Sequence, residues 1–172
     1  MNIVGVNGIA THGEGNIDLL LRHVRLRGWD TVDVPLPKRH FISAWWGHEK
    51  DGERIADYSK DGDVVVCHSY GGPRTAEAML KRNYAAVIFI NPAMDQYHPF
   101  ARKGIYCLHS TDDWIVKVGS LIPYHPFGRA GVVGFRDPNV TNINIGGGHS
   151  HAFREHLMET VRLVDNVARS IV

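Results

Sequence analysis

Three side chains in this sequence could work together on a proton. Ser69 stands in Cys67-His68-Ser69-Tyr70-Gly71-Gly72, directly after the apolar run 64–66. Asp112 and Asp113 stand in His109-Ser110-Thr111-Asp112-Asp113-Trp114, after the apolar run 105–108. His149 follows three glycines, after the run 142–145 and ahead of a long helical stretch. A serine hydroxyl is a weak nucleophile at neutral pH until a base takes its proton. Imidazole can take that proton and return it to a leaving group. A carboxylate can hold the imidazole tautomer and stabilise the imidazolium. Serine, acid and histidine in this order suit acyl transfer, provided the fold brings them together.

The elements that must do so alternate between two kinds. Ile3–Val6 is a short β-branched run. Ile17, Leu20, Leu21 and Val24 follow at the spacing of one helix face, with Gly28 as a stop. Residues 31–34 read as a brief strand, and 35–47, with Trp45 and Trp46, as irregular. Residues 49–60 read as a polar helix with little apolar face. The run 64–66 is apolar without alternation, as a central parallel strand buried on both faces should be. Pro73 suits the first turn of a helix reaching about Asn83. Runs 85–90 and 105–108 are further buried strands, and 132–135 and 142–145 are strand candidates. Phe153, Leu157, Val161, Val164, Ala168 and Ile171 form the stripe of a final helix. Alternating strands and helices predict an α/β fold: a three-layer sandwich with a mostly parallel central sheet of about six strands, in one domain over 1–172. In such sheets functional groups collect beyond the carboxyl ends of the strands, where Ser69, the Asp pair and His149 all fall.

Composition excludes several classes. The 172 residues carry 19 Lys+Arg against 18 Asp+Glu, a net charge of +1, so the basic excess that neutralises phosphates is missing and no nucleic-acid partner is expected. No run approaches the roughly 18 apolar residues of a membrane span. Two cysteines, Cys67 and Cys107, make no disulfide framework, and the start lacks a basic, apolar leader; a reducing, cytoplasmic setting is the expectation. The 11 histidines lack the regular spacing of helical zinc ligands, and neither a metal nor a cofactor is expected. Dinucleotide and P-loop glycine patterns are absent too.

His68-Ser69-Tyr70-Gly71-Gly72 resembles the nucleophile elbow of the α/β-hydrolase superfamily, a G-x-S-x-G turn between strand and helix with chain order Ser, acid, His. Cys67 replaces the first glycine. Residues 109–116 resemble that superfamily's acid loop, H-G-x-x-D-x-x-V, with Ser110 in place of Gly; on this pattern Asp113 is favoured over Asp112 as the acid. Its histidine commonly precedes the last helix as G-H, which favours His149 over His151; Ser150 would then cap that helix. Val6-Asn7-Gly8-Ile9 resembles its V-H-G-x loop, with Asn7 for His. The resemblance implies an oxyanion hole made by the backbone N–H groups of Ile9 and Tyr70. It implies a serine hydrolase of esterase type, acting on a small acyl substrate through Ser69, His149 and Asp113. Thioester and amide substrates use the same residues, and a catalytically inactive binding protein of this fold is the alternative. Aromatic residues in the predicted loops, Trp45, Tyr70 and Trp114 foremost, are candidates to line a substrate pocket. Only two strands precede Ser69 and no long insertion separates 88–90 from 105–108. A minimal, lidless core with an open site is therefore expected, whether monomer or homodimer.

Overall fold

The computed structural model describes residues 1–9, 15–37, 44–121 and 127–172, with only the backbone of 44–46. Six strands form one all-parallel sheet in the order β2-β1-β3-β4-β5-β6: β1 Ile3–Val6, β2 Thr31–Asp33, β3 Val64–His68, β4 Ala86–Ile90, β5 Ile105–His109 and β6 Val140–Asn144. The helices are α1 Asn16–Arg25, α2 Ala44–Tyr58, α3 Gly71–Met79, α4 Trp114–Gly119, α5 Ala130–Val133 and α6 Leu157–Arg169, with a 3-10 turn over His151–Phe153.

The two-residue period of the strands divides the core. Val64 and Val66 point to a layer containing Ile17, Leu20, Leu21 and Val24 of α1 and Val161, Val164 and Ala168 of α6. Val65, Cys67, Val87 and Phe89 point to the other layer, with Ile55 of α2, Ala76 and Ala78 of α3, and Phe100 and Phe135. β3 and β4 are buried along their whole length, which explains their unbroken apolar sequence.

Three elements differ from expectation. α2 begins at Ala44, inside the stretch read as irregular. Its buried face is Gly47, Asp51, Gly52, Ile55 and Ala56, spaced as a helix requires but mostly small or polar. A Cβ on Gly52 would lie 2.4 Å from Glu77 Cβ, so the close approach of α2 to α3 explains the small residue. Of residues 132–135, expected as a strand, Val132 and Val133 instead complete the single turn of α5, and Gly134 and Phe135 lie beyond it. That turn packs Gly131 so tightly under the chain after β4 that a Cβ would lie 2.8 Å from the Asn91 carbonyl carbon. Gly134, at φ 76°, ends it. α3 is also shorter than expected, ending at Met79. Among the described residues no helix is long and apolar enough to cross a membrane.

Register brings the loops together. Val6 pairs with Cys67, His68 with Ile90, Ile90 with Leu108, and His109 with Asn144. The segments after β1, β3, β4, β5 and β6 therefore leave the sheet along one edge.

Candidate active site

Ser69 sits between β3 and α3 at φ 55°, one of two non-glycine residues with positive φ among those described. Such a conformation costs about 1–2 kcal/mol for an L-residue and must be held in place. The holding bonds are backbone: Ser69 N–H donates to Ile90 O at 3.1 Å, and Ser69 O accepts from Gly72 N–H and Ala93 N–H, both at 3.0 Å. Gly71 is needed because a Cβ there would come within 2.6 Å of Val6 O. Cys67 fits at the first glycine position because its side chain turns into the core, Sγ 3.7 Å from Ile88 O. Burial pushes its thiol up to about 12, so it stays neutral.

Asp113 is completely buried at the start of α4. Its Oδ2 lies 2.7 Å from His149 Nδ1 and accepts from Asn91 Nδ2 at 2.9 Å, while Oδ1 accepts from Val116 N–H at 3.0 Å. Burial alone would raise this carboxyl; the bond and charge of His149, with the two other donors, outweigh it and hold the acid below its ordinary value. Asp112 is exposed, its N–H bonded to Ser110 Oγ at 3.1 Å. His151 pairs with Glu155 at 3.1 Å, away from Asp113. Of the alternatives raised from sequence, Asp113 and His149 are the pair brought into contact.

The loop carrying His149 is fastened at three points. Gly146 and Gly147 take positive φ, and Ser110 Oγ donates to Gly147 O. His68 Nε2 donates to His149 O at 3.0 Å, and the two rings lie 4.7 Å apart. Burial, with the neighbouring His149, drives His68 down to about 3, so its ring is neutral. Asn16 Nδ2 donates to Ser150 Oγ at 3.0 Å; Ser150 makes no side-chain cap, contrary to expectation.

Ser69 and His149 open into one cavity of about 300 Å³, whose other walls include Ile9, Ala93, Ile115, Val116 and Phe127. Among the described residues no hydrogen bond joins Ser69 Oγ to the His149 ring; such bonds are often loose without substrate. A Cβ on Gly8 would lie 3.0 Å from Ser69 Cβ, which measures how closely the β1 loop approaches the serine. Two of the expected substrate-binding aromatics fall elsewhere. The Tyr70 ring is fully buried and packs edge-on against Phe127 at 5.7 Å. Trp114 is 65% exposed and is not among the cavity walls, to which α4 contributes Ile115, Val116 and Gly119 instead. The side chain of Trp45 lies outside the described residues. A second hollow of about 380 Å³, between α6 and the β5–β6 edge, contains neither Ser69 nor Asp113 nor His149. Among the described residues no three His, Cys, Asp or Glu side chains converge as metal ligands. Asn91, His68 and Ser110 were not legible as site residues, since an Asn-Pro, a His and a Ser at strand ends are also ordinary turn chemistry.

Six parallel strands with a left-handed serine between β3 and α3, an acid after β5 and a histidine after β6 define a class. The chain has the α/β-hydrolase fold, as its solved neighbours do. It is similar to α/β hydrolase domain-containing protein 10 from mouse (15% identity, TM-score 0.66, 99% of this chain and 90% of that one). It is also similar to the pyrethroid hydrolase PytH (9% identity, TM-score 0.64, 98% and 97%). An extracellular α/β-hydrolase from a Paenibacillus species matches at 13% identity and TM-score 0.56, over 97% and 98%. No protein-family model and no curated protein matches the sequence.

Proposed function

We propose that the chain is a serine hydrolase cleaving a carboxylic ester or a related acyl bond. The observation that carries this reading is the 2.7 Å contact of His149 Nδ1 with buried Asp113, beside a cavity that His149 shares with Ser69. With Nδ1–H donated to the carboxylate, Nε2 carries the lone pair that can accept the Ser69 proton. Ser69 Oγ then attacks the acyl carbon, and the carbonyl π pair moves to oxygen. As the C–O bond to the leaving alcohol breaks, His149 returns the proton to that oxygen, leaving an acyl-serine. Water repeats the sequence in reverse, giving up a proton to His149 and releasing acid and Ser69. The oxyanion is received by the N–H groups of Ile9 and Tyr70, one from the loop after β1 and one from the residue after the nucleophile. The apolar walls accept a carbon chain rather than a charged group, and a pyrethroid hydrolase stands among the structural neighbours.

A second reading is a binding protein without turnover, favoured by the missing Ser69–His149 hydrogen bond among the described residues. Hydrolysis of p-nitrophenyl acetate separates the two. Turnover by the wild type that is lost in Ser69→Ala, with the fold retained, supports the hydrolase. A wild type no faster than its Ser69→Ala variant on ester, thioester and amide substrates supports the binding protein.

A further inference from the structure

Arg74 is the largest fully buried side chain among the described residues, on α3 five positions after Ser69. A buried guanidinium must have its charge balanced and its donors bonded. Asp51 of α2 supplies the balance, Oδ2 lying 2.9 Å from Nε. The Nη groups also reach main-chain carbonyls: Nη1 donates to Asn7 O at 3.2 Å and Gly8 O at 3.4 Å, and Nη2 to Pro37 O at 3.4 Å. The cation also lies over the Tyr70 ring, 4.5 Å from its centroid.

The Gly8 carbonyl belongs to the same peptide unit as the Ile9 N–H. In a trans peptide the two point in opposite directions. A guanidinium holding Gly8 O on the α3 side therefore fixes the direction of Ile9 N–H, and its charge polarises that amide into a stronger donor. Ile9 lines the cavity that contains Ser69. We propose that Arg74 is a positioning residue for the oxyanion site: through Asn7 O and Gly8 O it sets the Gly8–Ile9 peptide against the nucleophile, with Asp51 as its counter-ion. This rests on the serine hydrolase reading.

The test removes charge and counter-charge together, because a lone buried Asp51 would destabilise the fold by itself. Arg74→Met/Asp51→Leu is compared with Arg74→Lys and wild type, with folding checked by circular dichroism. Four quantities are read: kcat, KM, the affinity for an alkyl boronic acid that forms a tetrahedral adduct with serine, and the ¹⁵N order parameters of Gly8 and Ile9. The expected result for the folded double variant is a kcat loss of about 10²-fold, the scale of one oxyanion donor. KM should stay near wild type, boronate affinity should fall in parallel with kcat, and the Gly8 and Ile9 order parameters should drop. Arg74→Lys, which keeps the charge, should recover part of kcat. A folded double variant with wild-type kcat and wild-type order parameters overturns the proposal, as does a loss of kcat with the order parameters and boronate affinity unchanged. If the double variant does not fold, Arg74→Lys decides. Reduced kcat and boronate affinity at unchanged KM support the proposal, and wild-type values of both overturn it. A wild type that turns over no acyl substrate fails the hydrolase reading instead, and the order parameters alone then decide whether Arg74 sets the peptide.

Discussion

Where the sequence departs from the usual superfamily residues, each substitute makes a specific contact. Ser110, in place of glycine, bonds the Gly147 carbonyl in the histidine loop and accepts from Asp112 N–H. Asn7, in place of histidine, reaches Asp18 of α1 at 3.3 Å. Cys67 fills core space. The pairing of Asp113 with His149 predicts that Asp113→Asn, which favours the wrong tautomer, lowers kcat by about 10⁴ with the fold intact, as steady-state ester kinetics would reveal. His68 makes a separate prediction. Its folded pKa of about 3 lies below the ordinary 6.5, so between those values the unfolded chain binds a proton that the native state does not. Stability from neutral His68 is full above pH 6.5 and is lost as pH falls toward 3. His68→Gln, which keeps a donor for His149 O, should show a shallower fall of melting temperature over that range. An equal slope in the two proteins would contradict the assignment.

At the scale of elements, what was legible followed from how each segment buries its surface. β3 and β4 are unbroken apolar runs and α1 buries apolar side chains at one helical period, so their sequences announce them. α2 buries glycines, an alanine and an ion-paired aspartate around a single isoleucine, so its start was hidden in an apparent loop. Residues 132–135 carry a β-branched pair, but two residues between glycines are too few to specify a strand against close packing under Asn91. Two predictions belong here. Gly8→Ala should leave the melting temperature nearly unchanged but lower kcat, because its Cβ would press on Ser69 Cβ and on His68 O, at 3.0 and 3.2 Å. At the end of β2, Asp33 is exposed at the surface, yet partial desolvation and then its hydrogen bond with Asp18 push it up to about 6. An acid raised in the folded state stabilises it most below the ordinary value of 3.8, and that contribution is lost as pH rises through about 6. Asp33→Asn should therefore gain stability relative to wild type as pH rises from 5 to 7.5, read as the difference between paired thermal melts.

For the whole molecule, all-parallel order and register turn three separated motifs into one edge. The sequence order Ser, acid, His was enough to expect this; the distances came only from packing, through Asn91, His68 and the glycines of the β6 loop. The cavity of about 300 Å³ is small and largely apolar, so acetyl and butyryl esters should be cleaved with higher kcat/KM than lauroyl or palmitoyl esters in a p-nitrophenyl series. In the proposed reaction Ser69 is a nucleophile activated by His149 and Asp113. The most direct measurement is intact-protein and peptide mass spectrometry after exposure to a fluorophosphonate. One phosphonyl adduct is expected, located on Ser69, absent in Ser69→Ala and formed far more slowly in His149→Ala. A folded wild-type protein that stays unlabelled, or an adduct on another residue that persists in Ser69→Ala, would contradict the proposed reaction.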